Sequence, residues 1–343
     1  MPKINVLIAG STGYIGVQLV KLLVKHPYVK IRYLCGKSSV GKSLSKYDLS
    51  LKNKNLPKIC KFNSKYLNDV DVIFTSLPNG EAQKISKKLK KNNILIDLSA
   101  DFRISNPKIY KKYYKQSHKA ISKIKNSIYA LPEFSKKNIK KYQIISCPGC
   151  YPTSILIPLI PLLKNYLISP FNLIVDSKSG YSGAGRTVHK KYSNKNLYNS
   201  LSAYGLEIHR HNSEIDQEIM KYTNDKFKLT FTPHLSPMFR GILSTIYFDI
   251  PKGKKLISIY KKLLNYYKHS QFIKVANFNK PISTNDVINT NDCLISICKS
   301  RYKNKGIILS VIDNLIKGGS GQAIQNFNIF YGFNEKIGLK WSI

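Results

Sequence analysis

Lys3-Ile-Asn-Val-Leu-Ile-Ala9 leads directly into Gly10-Ser-Thr-Gly13-Tyr-Ile-Gly16, and a helical pattern follows over residues 17–24. A short apolar strand, a glycine-rich turn and a helix, in that order, form the first unit of a dinucleotide-binding fold. The glycines allow the backbone to approach a pyrophosphate, whose charge is favoured at the helix N-terminus. The spacing is G-x-x-G-x-x-G rather than G-x-G-x-x-G, so this prediction depends on the flanking strand and helix as well.

The stretch after the second predicted strand indicates which dinucleotide binds. Lys30-Ile-Arg-Tyr-Leu-Cys35 is followed by Gly36-Lys-Ser-Ser-Val-Gly-Lys-Ser43, and no acidic residue stands at the end of the strand. An acid at that point would hold the ribose 2′-hydroxyl of NAD. Hydroxyl groups and lysines suit a 2′-phosphate instead, which favours NADPH and NADP⁺. The octapeptide also fits the P-loop pattern, but a P-loop must open a helix, and a poor helix-forming sequence follows here.

Strands and helices continue to alternate through the first half of the chain. Strands are predicted over residues 70–75, 93–97 and 142–146, and a helix over residues 81–91. Repeated βα units indicate a parallel doubly wound sheet, in which ligands bind at the carboxyl ends of the strands. Residues 78–80 and 99–103 each follow such a strand end, so we predict that Pro78 and Arg103 lie at the binding cleft. An ion pair of Arg103 with Asp101 or a neighbouring acid is the alternative.

A cysteine-containing turn, Ser146-Cys-Pro-Gly-Cys-Tyr-Pro-Thr153, follows the last of these strands. Pro148 and Gly149 favour a sharp turn, and Pro152 suits the first turn of a helix. Cys150 is therefore expected near a helix N-terminus, where the helix dipole favours a thiolate, and we predict that it is a nucleophile. Two alternatives stay open: a Cys-x-x-Cys redox or metal site shared with Cys147, and a buried, unreactive thiol. If the two sulfurs can bridge, oxidation would mask the nucleophile.

The second half of the chain contains a His-Arg-His sequence and a second glycine-rich turn. Glu207-Ile-His-Arg-His-Asn-Ser-Glu214 follows Gly180-Tyr-Ser-Gly-Ala-Gly-Arg186, which itself follows a strand predicted over residues 172–179. At a loop, both histidines could line one site, and a histidine is suited to acid–base chemistry. Further ligands at zinc-site spacing are missing from the sequence, so no metal is predicted.

The remaining strands predict an α+β domain with a largely antiparallel sheet. Residues 227–233 and 241–250 have the alternating pattern of long strands, without a helix between them. The flat face of such a sheet suits a homo-oligomer, either dimer or tetramer. Asp313-Asn-Leu-Ile-Lys-Gly-Gly-Ser-Gly-Gln322 then precedes a predicted helix and suits a bound anion or cofactor. The predicted domains are an NADP-binding Rossmann domain, residues 1–149 with 318–343, and a catalytic and oligomerisation domain, residues 150–317.

The formal net charge of +38 over 343 residues is the most unusual feature of the composition. Only six of the 56 basic residues are arginine, and the lysines are spread along the chain beside many asparagines, isoleucines and tyrosines. This pattern fits a composition bias better than a nucleic-acid-binding patch, so no nucleic-acid partner is predicted. The sequence has no signal-peptide pattern and no apolar run of the roughly 18 residues that span a membrane. Six cysteines without disulfide-framework spacing suit a cytoplasmic location.

Taken together, the motifs resemble those of the N-acetyl-γ-glutamyl-phosphate reductase family, NADPH-dependent enzymes of arginine biosynthesis. The resemblance covers nearly the whole chain, and Pro148-Gly-Cys-Tyr-Pro-Thr153 with His209-Arg-His211 is its most specific part. The family usually has Asn at Cys147, often His at Asn79 and Pro at Ser213. None of these departures removes the predicted nucleophile or its histidine partner.

The resemblance implies a reaction and a set of site residues. Cys150 would attack an acyl phosphate and form a thioester, which NADPH would reduce to a semialdehyde, with His209 as the acid–base partner. The cofactor-binding residues would be Gly10, Ser11, Thr12, Gly13, Tyr14, Ile15, Gly16, Ser38, Ser39, Lys42, Pro78, Ser179, Gly183, Ala184, Gly185, Asn314, Lys317 and Gly318. The substrate-binding residues would be Arg103, Arg186, Arg210, His211 and Glu214.

Three other functions are compatible with parts of the sequence. An aspartate-semialdehyde dehydrogenase shares the layout and the chemistry, although the motifs around Cys150 and His209 favour the acetylglutamyl enzyme. An extended short-chain dehydrogenase would fit the first glycine turn, but it needs a Tyr-x-x-x-Lys on its catalytic helix. The two matches, which begin at Tyr33 and Tyr222, are no more than chance predicts in a chain with 23 tyrosines and many lysines. A basic nucleic-acid-binding protein would explain the charge alone.

Overall fold

A computed structural model describes residues 2–186, 199–224 and 226–339, and these residues form two sheets in two separate units. One unit comprises residues 1–148 with 319–343, and the other comprises residues 149–318. The domain boundaries predicted from the sequence lie one residue away from each of these.

The first unit is built on a parallel sheet whose described strands run in the order β3-β2-β1-β4-β5-β7-β6. These strands are β1 (Ile4–Ala9), β2 (Val29–Cys35), β3 (Ile59–Cys60), β4 (Val72–Thr75), β5 (Ile94–Asp97), β6 (Ser127–Tyr129) and β7 (Ile144–Ser146). Every neighbouring pair is parallel. Val6, Leu7 and Ile8 of β1 are all fully buried, as expected for a sheet that is covered on both faces. This is the doubly wound sheet that the sequence predicted.

Five helices alternate with these strands. They are α1 (Tyr14–Leu23), α2 (Glu81–Ser86), α3 (Pro107–Tyr114), α4 (Ile121–Ile124) and α5 (Pro132–Ser135). The last three lie in a Lys- and Tyr-rich segment for which the sequence pattern predicted no element. α3 begins because the Asn106 side chain accepts the backbone N–H groups of residues 108 and 109, and Pro107 suits the first helical position. Buried Tyr110 then anchors the helix by donating to Asp101 at 2.9 Å.

The second unit has a mixed sheet whose described strands run in the order β12-β13-β14-β11-β8-β10-β9. Its helices and strands are α6 (Cys150–Lys164), β8 (Leu173–Gly180), β9 (Ser202–Ala203), α7 (Arg210–Thr223), β10 (Leu229–Ser236), β11 (Ile242–Asp249), α8 (Leu256–Tyr266), β12 (Ile273–Val275), β13 (Cys293–Lys299) and β14 (Lys305–Ile312). The pairs β8–β10 and β12–β13 are parallel, and the other four are antiparallel. The prediction of an α+β unit with a largely antiparallel sheet is confirmed.

Helix α6 forms the core of the second unit and is buried almost from end to end. Its sequence is apolar on all sides, which is the pattern of a helix that is covered on all sides. Pro158 and Pro161 lie inside it, and each removes one backbone N–H from the helix ladder. The carbonyl of Ile157 would have accepted the bond that Pro161 cannot donate. The hydroxyl of Tyr267 donates to that carbonyl at 2.5 Å, so the buried oxygen is satisfied.

After β14, a π-helical turn over Ile316–Ser320 leads to α9 (Gly321–Tyr331), which belongs to the first unit. There α9 packs against α1 and β5. A hydrogen bond of 2.9 Å joins His26 Nε2, just after α1, to Asn328 on α9. Over the described part of the chain, no helix has the length and apolar character that a membrane span requires.

Candidate active site

Cys150 is the first residue of α6, so the predicted nucleophile stands at a helix N-terminus. Gly149 precedes it in an extended conformation, with φ −67° and ψ 159°. The carbonyl of Gly149 accepts bonds from the backbone N–H and the hydroxyl of Thr153, at 3.0 and 2.9 Å. Thr153 thus lies one turn inside the helix, and Pro152 lies in its first turn, as the sequence predicted.

The side chain of Cys150 lines a cavity of about 480 Å³ within the second unit. Seven of the site residues predicted from the sequence line this cavity: Cys150, Ser179, Gly183, Ala184, His209, Arg210 and His211. The sequence analysis missed six others, namely Tyr151, Ser202, Tyr204, Gly205, Ile208 and Leu235, together with Gly180 of the quoted glycine turn. Cavities of this size and mixed lining suit small polar substrates.

Glu214 lies beneath the nucleophile rather than at the cavity wall. Its side chain is fully buried, and Oε2 accepts the backbone N–H of Gly149 at 2.8 Å. Oε1 lies 3.8 Å from Nε2 of His211, one turn earlier on α7. The sequence predicted that Glu214 binds substrate, whereas the described contacts make it a support for the turn that carries Cys150.

Two substitutions of Glu214 separate these roles. Glu214→Ala should lower the free energy of unfolding by about 1–3 kcal/mol, because the buried N–H of Gly149 loses its acceptor. Glu214→Gln should keep most of that stability, since its side-chain oxygen can still accept. Urea unfolding and steady-state kinetics measure both effects. A Glu214→Ala protein of full stability with a raised substrate KM would instead support direct substrate binding.

His209 has a structural role at the start of α7 as well as a place in the cavity. It is the N-cap residue, and its Nδ1 accepts the backbone N–H of His211 at 3.2 Å. A backbone N–H can only donate, so Nδ1 is unprotonated and the hydrogen of the neutral ring is on Nε2. The ring therefore offers a hydrogen-bond donor, and its basic nitrogen is already occupied.

Aromatic rings surround His209 and keep it neutral. The ring centroids of Tyr151, Tyr204 and Phe231 lie 5.8, 5.4 and 5.5 Å from that of His209. Burial, followed by the positive charge of Arg210, lowers the pKa of His209 to about 4. Protonation would also place a hydrogen on Nδ1 and break the N-cap bond. The imidazole is therefore uncharged near neutral pH.

Gly318 lies directly behind the nucleophile. A methyl group added at Gly318 would lie 2.7 Å from Cβ of Cys150, closer than real side chains approach, and 3.2 Å from its Cα, which is also a tight contact. Only glycine allows the turn over Ile316–Ser320 to lie against the start of α6. The family resemblance assigned Gly318 to the cofactor site. The contact with Cys150 is a second reason why glycine is required at this position.

We expect Gly318→Ala to displace Cys150 and to lower kcat by roughly 10²-fold, the typical effect of moving a reacting group by about 1 Å. Affinity for NADPH should change little if the contact with Cys150 is the main reason for the glycine. Single-turnover kinetics and cofactor titration measure the two effects separately. A large loss of NADPH affinity at unchanged kcat would favour the cofactor role.

Asn314 and Lys317, two further residues predicted to bind the cofactor, make contacts within the second unit. Asn314 donates to Ser182 at 2.9 Å and accepts the backbone N–H of Gly241 at 2.7 Å, so both groups of its amide are used. Lys317 is fully buried, with its ammonium 5.6 Å from the centre of the Phe272 ring. Both side chains brace the loops of the second unit, and a cofactor contact by either stays a prediction.

The two arginines of the second unit that were predicted to bind substrate differ in position. Arg210 is exposed at the first position of α7 and lines the cavity, where it can pair with a carboxylate or phosphate. Arg186 and Gly185 follow the short helical turn over Tyr181–Ala184 and do not belong to the cavity wall.

The first unit has a cavity of its own, of about 380 Å³, beside the first glycine turn. Gly10 has φ +89°, and a side chain there would collide with the carbonyl oxygen of Ser76. A side chain at Gly16 would collide with the carbonyl oxygen of Gly10. The turn is thus tight against β1, with Gly13 as the N-cap of α1, as a pyrophosphate site requires. These residues fit a dinucleotide.

Four lysines line this cavity, but Lys42, which was predicted to bind the cofactor, is not among them. Lys37, Lys61, Lys84 and Lys88 line it, together with Phe62, Leu77 and Glu81. Ser38, Ser39 and Lys42 lie in the loop after β2, where Ser39 bonds the Tyr47 hydroxyl at 2.8 Å. Pro78 is exposed after β4, next to Leu77. Lys84 lies on α2 and Lys88 lies just after it. The sequence does not show that they line the same cavity as Gly10, because only the fold brings these segments together.

Arg103 and Cys147 meet at the carboxyl ends of β5 and β7. The Arg103 guanidinium donates to the carbonyls of Cys147 and Leu98, at 2.8 and 2.9 Å. Cys147 is fully buried, which raises its thiol pKa to about 12, and its sulfur accepts from Asn326 at 3.7 Å. A substrate contact by Arg103 stays a prediction. Within residues 2–186, 199–224 and 226–339, no cluster of three His, Cys, Asp or Glu side chains could hold a metal ion.

Comparisons with known proteins agree with this architecture. Residues 5–142 match the family described as semialdehyde dehydrogenase, NAD binding domain, and residues 150–314 match semialdehyde dehydrogenase, dimerisation domain. The fold is similar to that of aspartate semialdehyde dehydrogenase II from Vibrio cholerae, with a TM-score of 0.71, 15% identity, and coverage of 97% of this chain and 99% of that one. A Candida albicans aspartate semialdehyde dehydrogenase solved with NADP has a TM-score of 0.66 and 19% identity, covering 98% and 99% of the two chains. The fold and the site define a semialdehyde dehydrogenase.

Sequence identity is much higher to one branch of this class. The chain is 42% identical to the N-acetyl-γ-glutamyl-phosphate reductase of Ehrlichia canis, over 98% of its own length and 97% of the relative. It belongs to the N-acetyl-γ-glutamyl-phosphate reductase family. This membership excludes the short-chain dehydrogenase alternative.

Proposed function

We propose that this protein reduces N-acetylglutamyl γ-phosphate to N-acetylglutamate γ-semialdehyde with NADPH, releasing phosphate, as a step of arginine biosynthesis. The observation that supports it best is that Cys150 and His209 line one cavity in a chain whose relatives are named for this reaction. NADPH is favoured over NADH because lysines line the cavity of the first unit and no acid follows β2 at the ribose position.

The first step uses the position of Cys150. The helix N-terminus favours its thiolate, which attacks the acyl carbon, so that the C–S bond forms and the bond to phosphate breaks. The departing phosphate takes up one proton from water, and the product is a thioester on Cys150. Arg210 is placed to pair with an anionic group of the substrate during this step.

His209 supports the second step without changing its charge. When bound, NADPH supplies the hydride that reduces the thioester carbonyl. Negative charge then develops on the carbonyl oxygen, and the N–H on Nε2 of His209, in the same cavity, is a donor that can stabilise it. Collapse of this oxyanion expels the Cys150 thiolate and releases the aldehyde, so the step needs no proton from His209. This role differs from the acid–base role that the family resemblance implied.

The decisive assay follows reduction of NADP⁺ with N-acetylglutamate γ-semialdehyde and phosphate. We expect activity with this pair and at least about 10²-fold less with aspartate semialdehyde, whose chain is shorter and lacks the acetyl group. NAD⁺ replaces NADP⁺ in a parallel assay and should be the poorer cofactor. A preference for aspartate semialdehyde would favour the other enzyme class.

We also propose a cytoplasmic homo-oligomer, dimer or tetramer. The second unit matches a dimerisation domain, and the outer face of its sheet exposes Ile174 and Tyr247, which are cross-strand partners on β8 and β11. Exposed apolar residues side by side on a sheet suit a contact between copies. Light scattering in solution distinguishes dimer, tetramer and monomer.

A further inference from the structure

Two cysteines that the proposed reaction does not use lie together beside the dinucleotide cavity. Cys35 is the last residue of β2, Cys60 is the last residue of β3, and the two are register partners in a parallel pair. Their sulfur atoms are 3.8 Å apart. Cys35 also lines the cavity, next to Gly10 and Gly36.

The strand geometry permits a bond between these sulfurs. Paired strands lie about 4.7–4.9 Å apart, which falls inside the range of about 4.4–6.8 Å that disulfides span between Cα atoms. The sulfurs already face each other at 3.8 Å, so small rotations about the side-chain bonds would bring them to about 2.0 Å.

We infer that Cys35 and Cys60 form a reversible disulfide when the protein meets a peroxide, and that this disulfide weakens binding of the dinucleotide. Cys60 reacts first because it is partly exposed, whereas Cys35 is 2% exposed. Its sulfur displaces water from the peroxide and becomes a sulfenic acid. The sulfur of Cys35 then attacks that of Cys60, the S–O bond breaks, and a second water leaves. Two thiols are oxidised, and one peroxide is reduced to two waters.

The surroundings of Cys60 hold its sulfur in place for this reaction. Its thiol donates to the carbonyl of Leu34 at 3.6 Å, and the hydroxyl of Tyr66 hydrogen-bonds with it. Tyr66 is itself stacked on Tyr33, with ring centroids 4.0 Å apart. Burial raises the thiol pKa of Cys35, so Cys35 is less suited than Cys60 to the first reaction with peroxide.

The backbone of Cys35 connects this pair to the glycine turn. Its carbonyl accepts the N–H groups of Gly10 and Ser11, at 2.9 and 3.1 Å, and the Ser11 hydroxyl at 3.2 Å. The carbonyl of Cys60 accepts the N–H of Gly36 at 3.0 Å. A disulfide would draw Cys35 and Cys60 together and so shift the carbonyl groups that bind the glycine turn and Gly36. The formation of the disulfide is independent of the proposed function, but its effect on NADPH rests on it.

The test uses the Cys150→Ala protein, because that substitution removes the other reactive cysteine. The protein is treated with hydrogen peroxide and digested with trypsin without reductant. We expect a disulfide-linked pair of peptides, residues 33–37 with 59–61, that disappears on treatment with dithiothreitol. The Kd for NADPH, followed by its fluorescence, should rise by roughly tenfold on oxidation and return on reduction.

Two double variants complete the design. Cys150→Ala with Cys60→Ser should give no linked peptides and a Kd that peroxide leaves unchanged. Cys150→Ala with Cys298→Ser, at a partly buried cysteine of the second unit, should keep both responses. Absence of the linked peptides, or linked peptides with an unchanged Kd, would overturn the inference. If the reduced protein fails to bind NADPH, the proposed function is wrong, while the peptide map still decides whether the disulfide forms.

Discussion

Cys150→Ala is expected to lower kcat/KM for the reduction of N-acetylglutamyl γ-phosphate by NADPH by at least about 10⁴-fold, the usual effect of removing a catalytic nucleophile. Without the sulfur there is no thioester, and hydride would have to reach an acyl phosphate directly. The affinity for NADPH should stay the same, because the cavity proposed to bind the dinucleotide is lined by residues of the first unit and not by Cys150. Stopped-flow measurement of phosphate release and cofactor titration test the two statements.

Cys147→Ser is the matched control for this substitution. Cys147 is fully buried, and its thiol pKa of about 12 leaves almost no thiolate at neutral pH. Serine can still accept the hydrogen bond from Asn326, so activity should stay within roughly tenfold of the wild type. Mild oxidation should inactivate the wild type and the Cys147→Ser protein equally if Cys147 does not bridge to Cys150. Protection of the Cys147→Ser protein would instead support a disulfide between them. Activity that survives in Cys150→Ala would contradict the proposed mechanism.

The parts of the fold that the sequence predicted well are those specified by short-range signals. The strand before Gly10, the tight turn and α1 follow one another within about twenty residues, and each has its own pattern. Cys150 was placed near a helix start because Pro148, Gly149 and Pro152 restrict the backbone around it. In the same way, the alternating residue pattern of the long strands in the second unit predicted its sheet.

The contacts that the sequence could not predict join residues that lie far apart along the chain. Glu214 reaches back 65 residues to the N–H of Gly149, whereas the family resemblance implied only a substrate contact. Gly318 lies against Cys150 although its own sequence context indicates only a glycine turn before a helix. Similarly, the pairing of Cys35 with Cys60 depends on the order of β2 and β3 in the sheet.

The role that we propose for His209 differs from the one that its motif implies, and the reason is a local contact. The His-Arg-His sequence suggested an acid–base catalyst, which needs a ring nitrogen that can gain and lose a proton. In the structure, Nδ1 of His209 is the N-cap acceptor for the N–H of His211. A neutral imidazole that only donates from Nε2 is still an effective electrophile, because it stabilises charge that develops on oxygen.

Replacing His209 by asparagine and by alanine separates its cap from its chemistry. Asparagine is among the best N-cap residues, so His209→Asn should keep α7 and the stability of the protein, whereas His209→Ala should cost about 1 kcal/mol more. Both should lower kcat by roughly 10²- to 10³-fold, the typical loss of one oxyanion donor. Thermal unfolding and single-turnover hydride transfer measure the two effects.

The pH dependence of these proteins tests the charge state of His209. The folded pKa of about 4 lies below the ordinary value of 6.5, so the ring becomes charged only as the pH falls through about 4. Between about pH 5.5 and 8 the ring stays neutral, and the profiles of kcat for wild type and His209→Asn should run parallel, offset by a constant factor. An acid–base role predicts a different result. The wild type would then show a limb with an apparent pKa near 6–7, and that limb would vanish in His209→Asn.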